Sequence, residues 1–250
     1  MKPMHDRSLS GKLAVVAAFA VSMAFLEAAV VVYLRELYYP GGFGFPLVAM
    51  DPVLALTEFL REAATMVMLV SIGLLLERRP VAVFAVFLVS FGLWDIFYYV
   101  FLKCLLGWPG SLLTWDILFL IPALWVGPVI APILNTLVMI ALGCLILFYS
   151  GKGLNAGLSA SEWILLIAGA LLVFVSYTEE FARYIMNHMQ AGGFFSKDNQ
   201  KLVSQLSAQF VPLHFRWWLF LSGYLAHLTV LCLYTRRIRK LRRSSFLLPG

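Results

Sequence analysis

The chain has 250 residues, of which 62% are hydrophobic and only 13% charged, and its mean hydropathy is +0.88. A soluble globular domain carries about 25% charged residues, so this composition leaves too little charge to cover a water-facing surface without large apolar patches. A soluble enzyme, a disordered tail and a nucleic-acid-binding domain are all excluded as classes; the bilayer is the solvent that fits, and the net charge of +6 has to be read by position.

A helix needs about 20 mainly apolar residues to cross the ~30 Å hydrocarbon core. Six stretches meet that length: 12–34, 53–76, 80–106, 117–149, 162–185 and 214–234. Glu27 alone interrupts the first, which is too long for a signal peptide and lacks a clear A-x-A cleavage site. The second carries Glu58, Arg61 and Glu62 near its start, and the third holds Asp95 and Lys103. The fourth contains Pro122, Pro128, Pro132 and Asn135. It is predicted to be either a kinked helix or a re-entrant piece followed by a helix.

The connections also have character. Residues 38–52 are aromatic, glycine- and proline-rich, and Trp108 and Trp115 sit in the next outer connection, at headgroup level. Between the fifth and sixth stretches, Leu202, Leu206 and Phe210 recur at helical spacing. The segment 199–210 is therefore predicted as a short amphipathic helix on the outer surface, a candidate lid. The expected fold is all-α: a polytopic integral membrane protein, a six-transmembrane-helix bundle forming one membrane domain over 1–250, with a basic tail at 236–250.

Lysine and arginine give the orientation. An even helix number puts both termini on one side, and that side holds Lys2, Arg7, Lys12, Arg78, Arg79, Lys152 and the six basic residues of the RRIRKLRR tail. These are twelve of the nineteen basic residues, against the three acids Asp6, Glu77 and Glu162. The positive-inside rule places both termini in the cytoplasm, for a multi-pass protein of the cytoplasmic (inner) membrane. The tail follows a transmembrane helix directly, so it reads as a topology anchor or a contact with anionic membrane lipid, and no nucleic acid is expected as a partner. Cys104, Cys144 and Cys232 are far apart, with no CxxC or CxxCH pattern, and read as free thiols.

Ionisable groups at bilayer depth are functional candidates by default. Counting ~1.5 Å per residue along each helix brings Glu27, Glu58, Arg61, Glu62 and Asp95 to one height in the outer leaflet, with Asp116 opening the fourth stretch at that side. Glu58, Glu62 and Thr65 share one helical face. Four deep carboxylates against one arginine must be paired, protonated, hydrated or neutralised by a cation. One reading is a brace in which Glu58 or Glu62 pairs with Arg61 or Arg35, and Asp95 bonds Trp94, Tyr98 or Tyr99. A second is a divalent metal site drawn from Glu27, Glu58, Glu62, Asp95 and His214. A third is acid–base chemistry. His227 has no partner histidine at its depth, so a b-type haem is disfavoured.

TEEFAR, with Glu179, Glu180 and Arg183, followed by FVPLH at 210–214, resembles the EExxxR and FxxxH pair of CAAX-type intramembrane glutamic proteases. It departs from that pattern by one residue in the first motif and lacks the accompanying histidine–asparagine motif. The leading expectation is a membrane protein with a carboxylate-rich intramembrane site near the outer leaflet, binding a cation or a polar lipid-like ligand and acting on it if it is an enzyme. The alternatives are a non-catalytic subunit, with protein partners in a respiratory or photosynthetic-type complex, and a proton-coupled transporter.

Overall fold

The structure, a computed structural model, describes residues 8–188 and 205–247, with side chains up to Arg243. Six helices in it are long and apolar enough to span a bilayer: α1 Leu9–Tyr38, α2 Pro52–Leu76, α3 Pro80–Leu106, α4 Ile130–Gly151, α5 Ala160–His188 and α6 Trp217–Leu247. The protein is a multi-pass, all-α membrane bundle, with one two-stranded hairpin between α3 and α4. The shortest of the six, α4, has 22 residues, or about 33 Å of axial rise, which is enough for the hydrocarbon core.

Local chemistry sets most of the helix ends. Asp51 accepts hydrogen bonds from the Val53 and Leu54 amides, and Pro52 follows at the first helical position of α2, where its missing N–H costs nothing. Pro80 opens α3 in the same way, and α3 stops at Gly107, whose φ of 66° only glycine adopts readily. A capping box starts α5: the Ser159 amide donates to Glu162 (2.7 Å) and the Glu162 amide donates to the Ser159 hydroxyl (3.4 Å).

α3 is the hub. It packs most extensively on α1 and α4, with α2 against its remaining side, while α5 pairs with α6 and α6 leans on α4. The largest buried cluster lies toward the end that carries the chain termini, and joins Val16, Leu76, Val86, Leu142, Ile146 and Tyr234. Outward faces remain apolar, as Leu75, Ile164 and Leu171 show; lipid rather than water suits them. Close helix approach depends on single glycines. A Cβ on Gly143 would lie 2.6 Å from the Ala85 carbonyl oxygen, and one on Gly223 would lie 2.6 Å from that of Gly169.

At this same end, ion pairs tie neighbouring helices together. Lys12 Nζ meets Glu77 Oε1 at 2.6 Å. Arg237 donates to both oxygens of Glu162 at 2.9 and 2.7 Å, and to the Gly157 carbonyl at 2.7 Å. The predicted boundary at 234 therefore needs correction. The first part of the basic segment continues α6 through Leu247, because arginine and lysine are good helix formers and Arg237 finds its carboxylate one helix away.

The fourth apolar stretch also needs correction, since it is not helical from 117. Residues Trp115–Phe119 (β1) and Trp125–Pro128 (β2) form an antiparallel hairpin, with Trp115 opposite Pro128 and Asp116 opposite Gly127. Prolines explain the break. Pro122 lies between the strands and Pro128 ends β2, and a residue without an N–H cannot continue either a helix or a ladder. Of the predicted amphipathic segment 199–210, residues 199–204 lie outside the described residues. Its described end forms a short helical turn at 205–207, with Leu206 and Phe210 buried against Leu124, Val126, Phe181 and Ile185.

Candidate functional site

At the end of the bundle opposite the termini, α1, α2, α3 and the hairpin enclose a cavity of about 490 Å³. Its wall brings together Glu27 and Arg35 from α1, Glu58, Arg61 and Glu62 from α2, Asp95, Tyr98 and Tyr99 from α3, and Asp116 from β1. Apolar residues such as Val31, Leu34, Leu47 and Leu118 fill the spaces between them. Ser207 and Ala208, from the short turn before α6, contribute to the same wall. All six residues singled out at bilayer depth thus line one space, along with Arg35.

Their pairing includes the expected Glu58–Arg61 contact and departs from the expected brace elsewhere. Arg61 is shared: it forms an ion pair with Glu27 and donates from Nε to Glu58 Oε2 at 2.8 Å. Thr65, one turn further along the same face, donates to the Arg61 carbonyl at 3.1 Å and to Glu27 at 3.5 Å. Glu62 is not paired with an arginine. Its Oε2 accepts the Leu120 amide at 2.9 Å, anchoring the hairpin to α2. Helical geometry explains the split, because Arg61 and Glu62 are neighbours about 100° apart and present to different partners.

Arg35 turns to Asp116 rather than to an α2 glutamate. Its Nη2 lies 3.3 Å from Asp116 Oδ1, and Tyr99 donates to the other Asp116 oxygen at 3.2 Å. The guanidinium also sits in the corner between two rings that meet edge to face, 3.8 Å from the Trp108 ring centroid and 4.3 Å from that of Phe43, a cation–π clamp. Burial pushes the Asp116 carboxyl up to about 6, against the opposing pull of Arg35 and the Tyr99 hydroxyl.

Asp95 is the exception. The expected bond to Trp94, Tyr98 or Tyr99 is not formed: Tyr99 is committed to Asp116, and Asp95 Oδ2 is buried without a partner among the described residues. The Trp94 indole N–H and Arg35 Nη1 are likewise buried without a hydrogen-bond partner among the described residues. Buried polar atoms in native proteins are overwhelmingly paired; among the described residues, Trp125 Nε1 and Tyr177 Oη outside the cavity share this unpartnered state.

The other sequence candidates lie elsewhere. His214 is exposed and lines a separate shallow depression with Leu213, Trp115 and Trp217. Among the described residues, no group of three histidine, cysteine, aspartate or glutamate side chains comes together to hold a metal ion. The carboxylates share one cavity but do not converge on one point: Glu27 and Glu58 turn to Arg61, Asp116 to Arg35 and Glu62 to the Leu120 amide. The residues behind the protease resemblance form a structural clasp. Glu179 pairs with Arg183 and Arg216, the latter at 2.8 Å, while Glu180 Oε1 accepts the Leu213 and His214 amides, both at 3.0 Å. Both acids therefore hold the segment before α6 against α5. Deeper in the bundle, His227 bridges Asn135 (2.8 Å) and the Leu166 carbonyl (3.2 Å), a helix-to-helix bond of the kind that buried histidine commonly makes.

Sequence reasoning missed Arg35 as the partner of Asp116, and missed Trp108 and Phe43 as its clamp. The signal was present in the aromatic, glycine-rich connection at 38–52 and in Trp108, which were assigned to interface anchoring. The fold and this site define a polytopic membrane protein with a buried, mixed-charge cavity at one end. No known family model, curated protein or solved structure matches the chain.

Proposed function

We propose that the cavity is a binding site for a polar lipid-like ligand, in a protein of the cytoplasmic membrane whose termini lie on the cytoplasmic side. One observation carries this reading: Asp95, whose Oδ2 has no hydrogen-bond partner among the described residues, belongs to the wall of a cavity otherwise lined largely by apolar and aromatic side chains. Such a combination of apolar walls with a few convergent polar groups is what small-molecule sites look like. A bare metal ion is less well served, since Glu27 and Glu58 already share Arg61 and Glu62 holds the hairpin.

The test is retention of a ligand. Full-length protein purified in mild detergent is expected to carry about one tightly held amphiphile, identified by mass spectrometry of the extracted sample. Val31→Trp, which places a large ring in the cavity, is expected to abolish that retention while leaving the helical circular dichroism unchanged. Equal retention by the folded variant would show that the bound molecule sits elsewhere.

The orientation rests on the basic residues at the terminal end, and it has its own check. A Cβ added at Gly110 or at Gly151 meets nothing within 4 Å, so cysteine is accommodated at either position. With Cys104, Cys144 and Cys232, all free thiols, replaced by alanine, Gly110→Cys, at the cavity end, is expected to react with a membrane-impermeant maleimide on intact cells. Gly151→Cys, at the terminal end, is expected to react only after lysis. The opposite pattern reverses the topology.

A further inference from the structure

The basic segment that closes α6 is built into the bundle rather than trailing from it. The helix runs unbroken from Trp217 to Leu247, 31 residues, or about 46 Å of axial rise, roughly 16 Å more than the hydrocarbon core. Trp217 starts it at the cavity end, so the hydrocarbon gives out near Arg236, about 20 residues on. A second marker agrees. Arg237 bonds Glu162 at the start of α5 and the Gly157 carbonyl in the turn before it, and that turn must lie where α4 and α5 leave the core. Residues 239–243 then stand about 4–10 Å further out, in and just beyond a head-group layer about 5–8 Å thick.

At about 100° per residue, Arg236, Arg239, Lys240 and Arg243 fall on one face of the helix, and all four are exposed. The opposite face carries Tyr234 and Ile238, both 0% exposed and packed into the largest buried cluster. The Tyr234 hydroxyl also donates to the Ala156 carbonyl at 3.1 Å. Together with the Arg237–Glu162 pair, these contacts fix the rotation of the helix, so the basic face is turned away from the protein. Charge at this end is not balanced internally. Among the described residues its two acids are both taken, Glu77 by Lys12 and Glu162 by Arg237, and no carboxylate is left for Arg236, Arg239 or Arg243.

We infer that this face of α6 binds the phosphates of anionic phospholipids in the surrounding leaflet. A topology anchor needs only positive charge, which a tail of any conformation supplies. Three arginines at helical spacing, held outward at head-group depth, do more: each presents a fork of donors matched to a phosphate. Zwitterionic lipids carry the phosphate too, but their ammonium cancels the attraction that a basic surface exerts on a net negative head. This surface is independent of the cavity, and its role stands whether or not the cavity holds a ligand.

The experiment uses purified full-length protein in detergent, titrated with phosphatidylglycerol and with phosphatidylcholine of the same chain length, the bound lipid being counted by native mass spectrometry. Phosphatidylglycerol is expected to bind at least about tenfold tighter, since each basic residue near a charged lipid surface contributes about a fivefold gain. High salt is expected to narrow the difference. Combining Arg236→Gln, Arg239→Gln and Arg243→Gln is expected to remove most of the preference without changing the unfolding temperature, because all three side chains are exposed. The control, Arg78→Gln with Arg79→Gln, removes two exposed cations from the α2–α3 turn at the same end and is expected to keep it. Equal affinity for the two lipids, an unchanged preference in the triple variant, or an equal loss in the control would overturn the inference. A short RNA that binds the wild-type protein but not the triple variant, undiminished by excess phosphatidylglycerol, would overturn it too and assign the face to nucleic acid.

Discussion

Replacing Arg61 by methionine is expected to lower the stability of the bundle by about 3–5 kcal/mol, the cost of removing one partner from a buried ionic group. For a chain of this length that corresponds to a fall in Tm of about 10 °C or more, readable by thermal unfolding in detergent. The size follows from what is left behind. Glu27 and Glu58 have side chains 10% and 7% exposed, and both rely on the same guanidinium. An exposed pair would contribute at most about 1 kcal/mol, so the magnitude itself reports whether the site is desolvated. The companion variant separates charge from packing: adding Glu27→Gln and Glu58→Gln to Arg61→Met is expected to recover most of the loss, since neutral amides need no cation. A single variant within about 1 kcal/mol of wild type would mean that water already reaches both carboxylates.

The second large effect belongs to Gly143. Valine there is expected to destabilise the protein by about 3 kcal/mol, toward the upper end for overpacking, with loss of the folded form on purification as the practical readout. Even the first added carbon would lie 2.6 Å from the Ala85 carbonyl oxygen and 2.8 Å from Val89 Cγ2. One of those atoms belongs to the backbone of α3, so relief requires α3 and α4 to separate along their whole crossing. Small residues at such crossings let helix backbones approach where no hydrophobic force drives helices together in lipid. Gly110→Val is the control, because a Cβ there meets nothing; it is expected to leave the unfolding temperature unchanged.

Much of the architecture is legible from composition and spacing alone. Apolar runs of spanning length mark all six helices, because a backbone in lipid must satisfy its hydrogen bonds internally, and that demand writes a long, uniform signal. Prolines flagged the fourth run as irregular, yet they do not distinguish a kink from a hairpin. Ile117 and Val126 are as apolar as any helix residue, and strand pairing depends on which side chains receive the hairpin: Glu62, Phe174 and Tyr177, up to some 60 positions away. The same distinction separates what could be read of the site. Depth along a helix is a one-dimensional count, and it puts Glu27, Glu58, Glu62 and Asp95 at one height. Pairing depends on rotation about each helix axis and on the loops. Arg35 reaching Asp116, and Arg61 taking Glu27, follow from how the helices pack, which spacing within one helix does not record. The glycine contacts were hidden for a similar reason. Gly143 and Gly223 each meet bulky or backbone atoms of another helix, with no local motif to announce them.

The hairpin carries a consequence for how the chain is made. Its sequence leaves the ribosome before α5 exists, yet Trp125 stacks on Tyr177 at 6.0 Å and Gly127 packs against Tyr177 and Phe215. Until those residues arrive, the strands are held by the Leu120 amide's bond to Glu62 and by the bonds that Arg35 and Tyr99 donate to Asp116. Biogenesis is therefore ordered. The first three helices can insert and present Glu62, but the cavity closes only once the last two helices have been delivered, so a chain arrested after α4 carries the acids of the site without its finished wall.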